Sequence, residues 1–123
     1  MILEYKKDHR GKEILQDTTG AHQVMMEWEH PYMIECINKL NPHGSVLEIG
    51  FGLGYSATAI VAHEKVTTYT VIECCPVVWK KVEEFQTAHP HLQINLIKGR
   101  WEDMLITLGS YDCIFFDDYS GSN

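Results

Sequence analysis

Hydrophobic and polar positions change period several times along this chain, and each change marks an element. From Gln23 onward Met25, Trp28, Tyr32, Met33, Cys36, Ile37 and Leu40 recur at three- and four-residue steps, the spacing of one helical face. The run stops at Asn41-Pro42-His43-Gly44, and Pro31 inside it predicts a kink or a restart. Residues 45–50, SVLEIG, form a short apolar run bounded by glycine, the pattern of a strand buried on both faces. GFGLG leads from it into a helix from about Tyr55-Ser56 to His63. Residues 66–73, VTTYTVIE, are β-branched and aromatic and predict a second strand. Pro76 suits a first helical turn, and Val77, Val78, Val82 and Phe85 share one face of a helix ending near His89. Residues 92–98 alternate as a third strand, a short helix follows over 102–108, and residues 111–117, YDCIFFD, make a fourth strand.

The order of these elements, helix and strand in strict alternation, predicts an α/β fold with a parallel sheet and right-handed crossovers. The expected architecture is a doubly wound, Rossmann-like sheet of four strands in the order 3-2-1-4, with an N-terminal helix. Residues 1–22 have weak periodicity, with Gly11 and the Thr18-Thr19-Gly20 turn signal, and read as a loosely structured arm with a short helix. Residues 23–123 read as a single domain without internal repeat or linker.

Composition narrows the function classes. A chain of 123 residues, 45% hydrophobic and 22% charged, has the profile of one soluble globular domain. No apolar run approaches the roughly 20 residues of a membrane span, and MILEYKKDHR lacks the features of a signal peptide, so no membrane and a cytoplasmic location are expected. A net charge of −7 disfavours nucleic acid as a partner. Cys36, Cys74, Cys75 and Cys113 contain no C-x-x-C pair and read as reduced, mostly buried thiols. The seven histidines show no convergent ligand set, so no metal is expected.

In a doubly wound sheet ligands bind beyond the carboxyl ends of the strands, so the strand ends carry the candidate chemistry. The first ends in Glu48-Ile49-Gly50-Phe51-Gly52-Leu53-Gly54, an acidic residue and three alternate glycines that let the backbone turn sharply and approach a ligand closely. A dinucleotide loop would read G-x-G-x-x-G, and Tyr55 stands where the third glycine is needed, which disfavours a nicotinamide oxidoreductase. The second strand ends in Glu73, whose carboxylate can accept both hydrogen bonds of a ribose diol or, more blandly, cap the next helix. After the third strand, Trp101 offers a face for adenine or an anchor for the core, with Glu102 and Asp103 beside it. The fourth strand ends in Phe116-Asp117-Asp118-Tyr119.

These pieces in order, VMMEWEHPYM (residues 24–33), VLEIGFGLG, VIEC, KGRWED and YDCIFFDDY, resemble guanidinoacetate N-methyltransferase and its arginine N-methyltransferase relatives over about residues 17–119. W-E-x-P-Y-M and K-G-x-W-E-D discriminate far better than the glycine loop, whose E-x-G-x-G-x-G spacing is similar to the first motif of class I S-adenosylmethionine-dependent methyltransferases. The resemblance implies S-adenosyl-L-methionine as cofactor and a small guanidino compound as methyl acceptor. It assigns the catalytic guanidinium contacts to Glu29 and Asp117. Its cofactor contacts fall on Met25, Met33, Gly50, Phe51, Gly52, Leu53, Gly54, Tyr55, Ser56, Glu73, Cys74, Trp101 and Glu102. On the residues alone Glu29 reads as a solvent-facing helix acid.

Two carboxylates suit this chemistry, because a guanidinium is planar, charged and poorly nucleophilic. They can hold it as a fork, aim one nitrogen at the methyl group and take up the proton that leaves. The chain departs from the family pattern at His30 and Asp118, where a small hydroxyl residue is usual, so a different cationic substrate is an open alternative. Members of this class continue through three more strands, whereas this sequence stops at Asn123. The fourth strand is therefore expected to be an apolar edge, and three readings stay open: a fragment of a longer protein, a short form whose copies self-associate through that edge, or a decayed homologue. The alternative function is a non-catalytic module that binds S-adenosylmethionine or S-adenosylhomocysteine, or another partner.

Overall fold

The computed structural model describes residues 3–7, 13–17, 23–26 and 30–116, and the side chains of residues 34–116. Three short strands come first: β1 (Leu3–Lys7), β2 (Glu13–Asp17) and β3 (Gln23–Met26), joined as an antiparallel sheet in that order. Tyr5 lies opposite Leu15, and Ile14 and Leu15 lie opposite Met26 and Met25. This corrects the sequence reading twice. The described residues among the first 22 form strands and no helix, and Met25 belongs to β3 rather than to a helix beginning at Gln23. The helix α1 starts at His30 and runs to Leu40. Pro31 sits in its first turn, where the absence of an N–H costs nothing, so the proline starts the helix instead of kinking it.

Four parallel strands follow, β4 (Gly44–Ile49), β5 (Val66–Glu73), β6 (Gln93–Lys98) and β7 (Cys113–Phe116), in the order β6-β5-β4-β7. Counted from β4 this is the 3-2-1-4 order read from the sequence. The crossovers carry α2 (Tyr55–Val61), α3 (Pro76–Ala88) and α4 (Trp101–Met104), the last continued by a 3₁₀ turn over Leu105–Thr107. In-register pairing sets Ile49 beside Ile72 on one flank and beside Phe116 on the other. The ends of β4, β5 and β7 therefore lie side by side.

Both faces of the sheet are covered, as a near-continuous apolar strand requires. Val46, Tyr69 and Val71 pack against Ala57 and Ile60 of α2 and Val78 and Val82 of α3. On the other face Leu47, Ile49 and Ile72 pack against Trp101, Met104, Leu108 and Tyr111. Each fully buried aliphatic side chain here contributes about 1.5–3 kcal/mol by leaving water. Among the described residues β7 pairs with β4 alone, and its Ile114 and Phe116 are 59% and 55% exposed.

Candidate functional site

The loop after β4 is built on left-handed backbone: Gly50, Gly52 and Gly54 have φ of 91°, 58° and 82°. Residues with a Cβ resist this region, which is why the alternate positions are glycine. At Gly54 a Cβ would also come within 2.9 Å of the Phe51 ring. Phe51 is buried, its ring edge-on to Phe85 of α3 at 5.5 Å, so its side chain anchors the loop in the core. The backbone of Phe51 faces the strand ends, and its N–H donates to Glu73 Oε1 at 2.9 Å.

Glu73 is the centre of this arrangement. It is 7% exposed, and its second oxygen, Oε2, accepts the Cys75 N–H at 3.1 Å. Its carbonyl accepts the Trp79 indole N–H at 2.7 Å and the Gly99 N–H at 3.1 Å. The carboxylate is thus fixed between the glycine loop and the start of α3, and its backbone is fixed to the end of β6. A carboxylate oxygen can accept two hydrogen bonds, so this orientation suits a ligand that brings hydroxyl donors, as a ribose diol does.

Glu48 does something different. It is fully buried on the α2 side of β4, where Tyr69 Oη donates to Oε1 at 2.5 Å and Ser56 Oγ donates to Oε2. Ser56 is buried in the first turn of α2, so this carboxylate ties the helix start to the middle of the sheet beneath the loop. Leu53 and Tyr55 are half-buried against the same core. Tyr55 also lines a groove of about 470 Å³ with Ile34, Asn38 and His63, between α1 and α2 and apart from the strand ends.

Of the remaining predicted positions, Cys74 directly follows Glu73. The cysteines are less buried than expected: Cys75 is buried, Cys36 and Cys113 are half-buried and Cys74 is exposed, with the Cys74 and Cys75 sulfurs 3.7 Å apart. Burial, reinforced by Cys74 and Glu73, pushes the Cys75 thiol up to about 12. Trp101 opens α4 half-buried, its ring edge-on to Phe116 at 5.1 Å and packed on the Ile49 and Ile72 cluster, so it anchors the core. Glu102 is exposed; its own backbone N–H and then Arg100, whose Nη2 is 3.1 Å away, hold its carboxyl below the usual range. Met25 and Met33 are placed by backbone only, on β3 and α1. Glu29 and Asp117 lie outside the described residues.

Sequence reasoning did not single out Tyr69 or Trp79. Tyr69 is separated from Glu48 by 21 positions, and only the strand register brings them together. Trp79 carried one weak signal, an aromatic residue in the first turns of the helix that follows the acidic strand end.

Comparison with known proteins agrees with this geometry. The chain is 31% identical over 121 residues to protein arginine N-methyltransferase 2 of Saccharomyces cerevisiae, covering 94% of this chain and 28% of that protein. The S-adenosylhomocysteine-bound methyltransferase PaMTH1 of Podospora anserina superposes with a TM-score of 0.57 at 29% identity, covering 73% of this chain and 40% of that one. Spermidine synthase of Thermotoga maritima shares the fold alone, with a TM-score of 0.59 at 14% identity over 95% of this chain and 47% of that one. The sheet and these similarities place the chain in the class I S-adenosylmethionine-dependent methyltransferases. Within that class the chain belongs to the guanidinoacetate N-methyltransferase family, whose sequence model matches residues 4–123.

The described residues fit the cofactor of that class. It carries a ribose diol and no phosphate, matching a carboxylate acceptor at Glu73 and a glycine loop without the dinucleotide spacing.

Proposed function

We propose that this chain takes part in S-adenosyl-L-methionine-dependent N-methylation of a guanidino compound of the guanidinoacetate or arginine type. The observation that carries the reading is the fixed Glu73 carboxylate beside the glycine loop, in a chain matched along its length by this family. Glu73 binds the ribose hydroxyls, and the backbone of residues 50–54 lets the cofactor approach the end of β4. The cofactor supplies an activated methyl group on a sulfonium.

Glu29 and Asp117 hold the guanidinium through charge-assisted N–H bonds and keep one nitrogen aimed at the methyl carbon. When that nitrogen gains its methyl it must lose a proton, which a carboxylate oxygen of this pair accepts and passes to water. Most of the acceleration comes from positioning and charge placement, since no covalent intermediate with the protein is needed.

Transfer of labelled methyl to guanidinoacetate and to arginine tests the reading. Glu29→Gln and Asp117→Asn are expected to abolish transfer while S-adenosylhomocysteine still binds. Full activity in either variant overturns the role given to that residue, and binding without transfer to any guanidino acceptor overturns the substrate class.

A further inference from the structure

At the end of β5 the chain brings three metal-ligating side chains into one small volume. The carboxylate of Glu73 and the sulfurs of Cys74 and Cys75 all lie within 4.8 Å of one another. We propose that Glu73, Cys74 and Cys75 form a binding site for a thiophilic divalent cation of the zinc class, and that its occupation excludes the nucleoside.

The two sulfurs, in S–H···S contact, already stand at the spacing that a shared metal requires. The two sulfurs are 3.7 Å apart. A tetrahedral zinc ion held at about 2.3 Å by two thiolates sets them roughly 3.7–3.8 Å apart, whereas a disulfide needs about 2.05 Å. The third ligand is oriented in advance, because the amides of Phe51 and Cys75 fix the Glu73 carboxylate. Two sulfurs and one oxygen select zinc or cadmium over magnesium or calcium, which take oxygen ligands. Three protein ligands leave a fourth position for water, and exposed Cys74 provides the way in. On binding, both thiols give their protons to solvent. The exclusion rests on the ribose role proposed for Glu73, since one carboxylate cannot serve both ligands.

The test uses reduced protein without cofactor. Zinc is titrated in competition with a chromophoric chelator, and cadmium is followed by its ultraviolet thiolate band. One metal per chain is expected, with affinity lowered at least about tenfold in Cys74→Ser and kept in Cys113→Ser. Cys113 is the control because its sulfur lies 3.6 Å from His43 Nδ1, the other soft pair among the described residues. Circular dichroism establishes that Cys74→Ser, an exposed change, is folded. No zinc uptake, or equal uptake by Cys74→Ser, overturns the site. Saturating S-adenosylhomocysteine is expected to weaken zinc binding at least tenfold. Independent binding of the two ligands overturns the exclusion while the metal site stands. Failure of S-adenosylhomocysteine to bind at all overturns the ribose role, and the exclusion with it, without touching the zinc result.

Discussion

The Phe51 amide donates to Glu73 Oε1 at 2.9 Å, which fastens the glycine loop after β4 to the carboxylate that closes β5. The other oxygen is held by the Cys75 amide. Glu73→Gln therefore places an NH₂ group against one of two N–H donors, a cost of about 1–3 kcal/mol for a buried donor left without its acceptor. Calorimetry with S-adenosylhomocysteine is expected to show roughly tenfold weaker binding or worse. Unchanged affinity would mean that this carboxylate neither shapes the loop nor touches the ribose.

Gly54 tests the loop itself. Alanine there must adopt φ near 82° and bring its methyl against the Phe51 ring. The left-handed backbone alone costs about 1–2 kcal/mol. Urea unfolding of Gly54→Ala is expected to show at least that loss, with weaker cofactor binding. A variant as stable as the parent contradicts the loop geometry.

The buried pair Tyr69 and Glu48 supports the same loop from below. Tyr69→Phe removes the hydroxyl that donates to Glu48 Oε1, and with it one hydrogen bond to a buried carboxylate. The expected destabilisation is about 1–3 kcal/mol, read from the urea midpoint at constant slope. A neutral result would show that the hydroxyl is dispensable to this carboxylate.

The adjacent cysteines should react unequally. Thiolate is the reactive form, and in the metal-free chain burial disfavours it at Cys75 and shields that sulfur, while Cys74 lies at the surface. Brief iodoacetamide treatment of the folded chain, followed by peptide mapping, is expected to find the label on Cys74 well ahead of Cys75. Equal labelling contradicts the burial of Cys75.

What was legible in the sequence follows from how local each signal is. β4 and β5 were readable because Val46, Leu47, Ile49, Val71 and Ile72 are buried whichever way they point, giving continuous apolar runs. Gly50, Gly52 and Gly54 were readable because positive φ leaves a mark in residue type. β1, β2 and β3 were not, since such short strands acquire their identity from pairing with one another. Met25 mimics a helical position because its spacing to Trp28 and Tyr32 matches one helical face, and Pro31 is the better boundary signal. The Glu48–Tyr69 and Glu73–Trp79 contacts depend on strand register and crossover geometry, which no local pattern encodes.

The end of β5 and the glycine loop are expected to hold S-adenosyl-L-methionine. Calorimetric titration of the 123-residue chain with this compound tests it most directly. Saturable binding at one site per chain, weakened by Glu73→Gln, is expected. A chain shown by circular dichroism to be folded, yet giving no binding heat and no competition with S-adenosylhomocysteine, would contradict it.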